Sequence, residues 1–379
     1  MPRYKLTIAY DGTHFCGWQK QEPFVDALRL PKAQRDVAGE VSPLSDAQTP
    51  TTKASRDEFV VGDGRASGVP APMRKSHREE RFEEPDAPAL IVEQLETREG
   101  EDRPRVAMRT VQHVVEQAVR AIVRERVVLD GASRTDSGVH AKGQVAAFTC
   151  SGGEANERTS ERANEGEGGA GEVEASAHVG WPISRGTERL VRAINARLPA
   201  DVLVTNAEVV GDTFNPITDC TSKAYSYTLH TGPIRPLFDR NLVHCVYDAL
   251  DVAAMQAAAK YLVGEHDFVS FAALHHGRAT TVRTVFSCDV TQQPCENKEG
   301  NRARGIEASS RVRIDISGNG FLYNMVRIIA GTLVEVGRGR MKPEVIPEIL
   351  AKKDRRAAGP TLPGRGLCLE WIRYEGEKP

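Results

Sequence analysis

Two kinds of hydrophobic spacing alternate along this chain, and the order of their alternation occurs twice. Apolar residues at every second position mark strands, and apolar residues at i, i+3, i+4 and i+7 mark helices with one buried face. Tyr4–Tyr10 reads as a strand. Thr110–Arg124 reads as a helix with Val111, Val114, Val115, Ala118 and Ile122 on one stripe. Arg126–Asp130 and Gln144–Thr149 are expected as strands flanking a polar loop, Thr187–Leu198 as a helix ended by Pro199, and Val202–Val210 as a strand. A similar order then returns. Ala224–His230 is a strand, Asp251–Val263 an alanine-rich helix, and Thr284–Val290 a strand. Arg311–Ser317 sets Val312, Ile314 and Ile316 between charged or polar neighbours. Met325–Val336 and Pro343–Lys352 are helices, and Leu367–Tyr374 closes the order as a strand.

Two successive β-α-β-β-α-β halves are the simplest account of this pattern. They imply an α+β fold with a mostly antiparallel sheet and helices on one side. The halves are expected at 1–215 and 216–379. If their sheets join edge to edge, a cleft forms between them, where a substrate would sit. A length of 379 residues suits two such units at about 100–200 residues each.

Two stretches fit neither spacing. Residues 22–105 hold Pro70-Ala71-Pro72 and a charge run from Arg74 to Glu84, with 18 Asp/Glu against 13 Lys/Arg. Ala89–Leu95 within them is apolar enough for a turn of helix. Residues 151–178 carry seven Glu and two Arg with no aromatic residue. Neither has the apolar surface to offset its ordering entropy, so both are expected to be disordered inserts. Each carries a net −5, so the other 267 residues carry +8 although the whole chain carries only −2. A basic body with acidic inserts suits a polyanionic partner. Gln292–Gly305 reads as a polar hairpin excursion.

Other classes are disfavoured. No run of 18 apolar residues occurs, so no membrane helix is expected. The start, Met1 to Gly12, reads as a strand and lacks the apolar stretch of a signal peptide. Seven scattered cysteines with no CxxC spacing argue against a disulfide framework and a zinc site. A cytoplasmic protein is expected.

The densest polar segment of the body is Gly131–Gly143, GASRTDSGVHAKG. Taken alone, Asp136 beside Ser and Gly is a turn former, and His140 caps or packs. A triad of Ser133 or Ser137 with Asp136 and His140 is rejected, because no nucleophile elbow surrounds the serines.

The segment Arg134-Thr135-Asp136-Ser137-Gly138-Val139-His140-Ala141 nevertheless resembles the catalytic box of the tRNA pseudouridine synthase A (TruA) family. The likeness continues along the body. Tyr10-Asp11-Gly12-Thr13 with Phe15-Cys16-Gly17-Trp18-Gln19 is similar to the family's first strand and loop, and Thr110-Val111-Gln112 to the start of its first helix. Ala193-Ile194-Asn195-Ala196-Arg197-Leu198-Pro199, Lys223-Ala224-Tyr225-Ser226-Tyr227 and Asp267-Phe268-Val269-Ser270-Phe271 resemble later family segments. Gly320-Phe321-Leu322-Tyr323-Asn324-Met325-Val326-Arg327 resembles the start of the long C-terminal helix, and Gly366-Leu367 the closing pocket residues. Neither insert takes part.

The resemblance implies the pseudouridine synthase fold and isomerisation of uridines at positions 38–40 of the tRNA anticodon stem-loop. It implies no cofactor and no metal, and a homodimer as the working unit. By its place in the motif Asp136 is the catalytic carboxylate, attacking the sugar at C1′ or the base at C6. Arg327 is its paired arginine, which favours the ionised carboxylate. Tyr225 stacks on the extruded uracil and accepts or relays a proton. Arg134 fills the space the nucleotide leaves, while His140, Gly366 and Leu367 border the substrate. Lys5, Lys142, Arg192, Arg197, Lys223, Arg338 and Arg340 are candidates for phosphate contacts. Three departures from the family stand out: Ser133 in place of glycine, Phe214-Asn215-Pro216-Ile217 in place of a stretch that often ends in Ala-Arg, and the long insert after Gln21. Two rival readings are a tRNA-binding protein whose site the inserts block, and a hydrolase with a carboxylate pair. The box offers one carboxylate, which disfavours the second.

Overall fold

The structure, a computed structural model, describes residues 1–23, 91–95, 105–152, 179–273, 280–294 and 309–377. Most of both expected inserts, and residues 295–305 of the hairpin excursion, lie outside the described residues.

The first strand, β1 (Arg3–Tyr10), buries Tyr4, Leu6 and Ile8 on one face. The other strands are β2 (Ile91–Leu95), β3 (Arg105–Met108), β4 (Asp130–Gly131), β5 (His140–Thr149), β6 (Val202–Val210), β7 (Cys220–Thr231), β8 (His244–Val246), β9 (Gly264–Asp267), β10 (Val282–Pro294), β11 (Ser310–Gly318) and β12 (Leu367–Tyr374). The helices are α1 (Val111–Val123), α2 (Thr187–Asn195), α3 (Val252–Lys260), α4 (Met325–Gly337) and α5 (Val345–Lys352).

Ten strands form one sheet in the order β6-β1-β5-β12-β7-β11-β10-β9, with β4 on β5 and β8 on β7. Neighbours pair antiparallel except β12 with β5 and β7 with β8. The last strand therefore sits in the middle, where its parallel register sets Cys368 opposite His140 and Leu369 opposite Ala141. Lateral joining at this point brings the loop before β5 beside β7 and the N-terminus of α4. The mixed fold with a mostly antiparallel sheet agrees with the α+β expectation.

Local chemistry explains where the elements differ from the sequence pattern. The expected strand Arg126–Asp130 is reduced to the two residues of β4. Side chains of α1 take the hydrogen bonds that a strand partner would supply: Arg120 donates to Val127 O, Gln112 to Leu129 O, and Glu116 accepts from Leu129 N. β5 begins at His140 rather than Gln144 because its first residues pair with β12. Ile91–Leu95 is a strand paired with β3, not a turn of helix. β8 and β9 were not expected; three and four residues are too short to show an alternation. β10 runs past Val290 to Pro294 because β11 pairs with it along that length.

The helices pack as their spacing demands. Thr110 caps α1, and Val111, Val115, Ala118, Val119 and Val123 are buried, with Val114 and Ile122 at the margin. α2 lies on β6 through Leu190 and Ile194, and α3 on β10 and α4. α4 buries Ile328, Ile329 and Leu333. Among the described residues no helix is long and apolar enough to cross a membrane, and the six described cysteines are unpaired.

Candidate active site

The segment Arg134–Val139 connects β4 to β5 and is held between two glycine-bearing loops. A Cβ on Gly12 would stand 2.0 Å from Val139 O, and one on Gly364 would stand 2.6 Å from Ser137 O. Only glycine lets backbone approach backbone this closely. Hydrogen bonds then fix the loop: Trp18 N donates to Thr135 O at 3.0 Å, Ser137 Oγ to Phe15 O at 3.0 Å, and Tyr10 Oη pairs with Thr135 Oγ1 at 2.7 Å. The Tyr10-to-Trp18 motif is thus the cradle of the Asp136 loop.

Arg327 reaches Asp136 from the first turn of α4. Its Nη1 lies 3.0 Å from Asp136 Oδ2. The same guanidinium donates from Nε to Leu362 O at 2.6 Å and from Nη1 to Asn324 Oδ1 at 2.7 Å. Asn324 precedes α4 at φ 62°, a left-handed conformation that asparagine tolerates better than most residues. The Asp136 and Arg327 side chains keep 25% and 18% of their exposure, so the pair is sheltered yet open to a ligand.

Burial pushes the Asp136 carboxyl above the usual carboxylate range, and the charge and hydrogen bond of Arg327 oppose that shift without reversing it. The sequence argument gave weight to the guanidinium alone; the closure of the site outweighs it. A partly desolvated carboxylate is less well solvated as an anion and correspondingly more reactive.

Tyr225 stands on β7, buried, with its Oη 2.9 Å from Ser133 Oγ and its ring edge-on to Phe321 at 5.3 Å. Burial first, and the Asp136 charge further, push its phenol up to about 12 against the opposing Ser133 hydrogen bond. It therefore stays protonated near neutral pH. Tyr227 shares its face, is fully buried and donates to Pro363 O at 2.8 Å. Gly366 packs where a Cβ would meet the Tyr227 ring at 2.7 Å, and Leu367 is opposite Tyr227 at the start of β12.

Arg134 is exposed and makes no hydrogen bond or ion pair among the described residues. His140 is buried, and both of its nitrogens are engaged within the protein. Nδ1 is 3.1 Å from both Gly12 N and Asp11 Oδ1, and Nε2 is 2.9 Å from Asn241 O and 3.2 Å from Arg365 O. The structure thus brings Asp136, Arg327 and Tyr225 around one loop, leaves Arg134 exposed beside it, and gives His140 partners inside the protein.

The phosphate candidates divide. Lys5 is buried between Glu208 and Glu377, Lys142 is paired with Glu370, Arg338 with Asp248 and Glu335, and Arg340 with Glu335. Lys223 donates to Ala132 O. Arg192 and Arg197 remain exposed on and after α2. The sequence reading assigned no role to Leu362–Arg365, and none to Asn324 beyond its place in the Gly320–Arg327 motif; both hold Arg327 or the Asp136 loop. The Asn324 signal was a residue tolerant of positive φ just before a helix.

Among the described residues no three side chains of metal-binding type come together. Comparison with known proteins adds the family. The tRNA pseudouridine synthase family model matches residues 258–375. Over 265 residues the chain is 36% identical to tRNA pseudouridine synthase A 2 of Clostridium perfringens, covering 70% of this chain and 90% of that protein. It is 37% identical over 265 residues to tRNA pseudouridine synthase A of Geotalea uraniireducens, and 35% over 269 residues to that of Bacillus subtilis, with the same coverage. These lengths are the size of the basic body without its two acidic segments. With the Asp136 loop, its arginine and its tyrosine assembled on such a body, the chain belongs to the tRNA pseudouridine synthase A family.

Proposed function

We propose that this chain isomerises uridine to pseudouridine in tRNA, at positions 38–40 of the anticodon stem-loop, with Asp136 as the nucleophile. The observation that carries the proposal is the sheltered Asp136–Arg327 pair at 3.0 Å, held at the junction of β5, β12 and β7.

The target uridine leaves its stack at a cost of a few kcal/mol. Arg134, exposed at the start of the loop, takes the vacated space and offsets part of that cost. The uracil lies against Tyr225, whose ring is fixed by Phe321 and whose hydroxyl is fixed by Ser133. Asp136 then attacks either C1′ of the ribose, releasing the base from N1, or C6 of the base; in both routes one hard step becomes two easier ones. In the C6 route the N1–C1′ bond breaks after the addition. The uracil turns and C5 bonds to C1′, displacing Asp136 from C1′ in the first route and followed by its elimination from C6 in the second, so the carboxylate is regenerated; the hydrogen at C5 is lost to solvent and N1 gains a proton. Product and substrate are isomers, so the overall change asks for no oxidant and no group donor. Arg327 holds the carboxylate in one direction and stabilises its charged form.

In the same reading the protein is two ferredoxin-like halves, 1–215 and 216–379, meeting at β5 and β12. The strand orders β6-β1-β5-β4 and β12-β7-β11-β10 repeat one topology, and the site lies at the seam. A cytoplasmic homodimer binds the tRNA, Gly366 and Leu367 close the pocket floor through Tyr227, and His140 acts from beneath the loop. Mapping pseudouridine in tRNA from cells with and without this gene tests the assignment. Loss confined to positions 38–40 supports it, and an unchanged map contradicts it.

A further inference from the structure

Beside the Asp136 loop lies a cavity of about 360 Å³ walled by Thr13, Ser137, Gly138, Asn241, Pro363 and Arg365. The isomerisation uses none of these side chains. The volume is near the small end of ligand sites, about 300–1,000 Å³, and suits one sugar-phosphate unit rather than a stem.

The walls come from four separate segments, and they are fixed to one another. His140 Nε2 faces two carbonyl oxygens, Asn241 O and Arg365 O, so that nitrogen carries the ring proton. Its Nδ1 meets Gly12 N, next to Thr13. Gly364 sits against Ser137 O, and Tyr227 Oη holds Pro363 O. One imidazole and two close contacts therefore set the walls before any ligand arrives, which lowers the cost of binding.

The charges suit an anion. Arg365 is exposed at the rim. Gly138 has φ 75° and open space where a side chain would stand, so a ligand can approach the backbone. Of the carboxylates next to the lining residues among the described residues, Asp11 is occupied by the N–H and hydroxyl of Thr13 and lies against His140, and Asp136 is paired with Arg327. Burial first, and the charges of Arg365 and Arg338 further, push His244 down to about 4.

The geometry points to this cavity as a subsite for one phosphodiester of the RNA flanking the target uridine, with Arg365 as its cation and His140 as the positioning residue that holds its walls. The identity of the RNA rests on the proposed tRNA activity; the site itself rests on the cavity.

The test uses the full chain with Asp136→Asn to stop turnover, and a synthetic anticodon stem-loop RNA as the probe. Arg365→Gln weakens binding at every salt concentration and lowers the slope of log affinity against log salt by about one. Arg356→Gln makes the same charge change at an arginine that does not line the cavity and leaves the slope alone. A single uncharged methylphosphonate linkage is then walked along the RNA. One linkage beside the target weakens binding, and adding Arg365→Gln at that linkage costs nothing more. His140→Leu weakens this coupling, and His140→Gln, which keeps a donor, restores part of it. Equal slope changes for Arg356→Gln and Arg365→Gln, or additive losses at every linkage, overturn the subsite. Coupling in a wild-type chain that makes no pseudouridine would keep the subsite and remove the proposed activity; turnover without coupling would do the reverse.

Discussion

Asp136 and Arg327 are 191 residues apart in the chain and 3.0 Å apart in the fold. The pair exists because β12 enters the sheet between β5 and β7, bringing the loop before β5 to the helix that follows β11. Arg327→Gln removes the charge and the hydrogen bond that hold the Asp136 carboxyl down against burial. The ionised fraction at a given acid pH falls, so the acid limb of the pH–rate profile moves to higher pH. Turnover falls by about a hundredfold through lost orientation. Arg327→Lys keeps the charge without the fork and lies between; rate profiles of the three proteins check the order.

Stability carries a second signature of the same burial. The folded-state pKa of Asp136 is raised above its unfolded value. Its protonated form therefore favours folding below the ordinary carboxylate pKa, and that contribution is lost as pH rises through the raised value. At neutral pH the charged form opposes folding. Asp136→Asn should melt at the same or a higher temperature than wild type at neutral pH, and lose this advantage in acid. Thermal melts at the two pH values measure it, and a large loss of stability at neutral pH would contradict the sign.

The Tyr225 hydroxyl keeps its proton and shares one hydrogen bond with Ser133. Tyr225→Phe keeps the ring against Phe321 and loses one hydrogen bond, a cost of about 0.5–1.5 kcal/mol, so turnover falls by no more than about tenfold. Tyr225→Leu also removes the stacking surface and falls further. Ser133→Gly costs less than Tyr225→Phe, since the phenol stays in place. Single-turnover rates separate the three.

Much of this site was legible in the sequence. The box around Asp136, Tyr225 on its strand and Arg327 at a helix start carried family motifs, and short-period patterns gave most strands and helices. The strand Arg126–Asp130 misled because its alternation was genuine while its hydrogen bonds went to α1 side chains, which no local pattern encodes. β8 and β9 have too few residues to show a period. The strap at Leu362–Gly366 matters through backbone carbonyls, and residue type is silent about those. His140 looked like a substrate contact from its place in the box; only the fold reveals that Gly12, Asp11, Asn241 and Arg365 surround it.

The glycine cradle gives a prediction about packing. Gly12→Ala puts a methyl 2.0 Å from Val139 O, and the Asp136 loop must shift. Overpacking of this kind costs about 1–3 kcal/mol, and turnover should fall more than stability implies. Gly211→Ala, where nothing lies within 4 Å, serves as the control and leaves both nearly unchanged. Melting temperature and rate measured on the same samples decide it.

The central claim is that Asp136 is the nucleophile of a uridine isomerisation in tRNA. Release of tritium from tRNA carrying [5-³H]uridine reports that reaction directly, since forming the new bond at C5 expels the label. The wild-type chain should release tritium, while Asp136→Asn should bind the same tRNA and release none above background. Tritium release by Asp136→Asn at a rate near that of wild type would contradict the account.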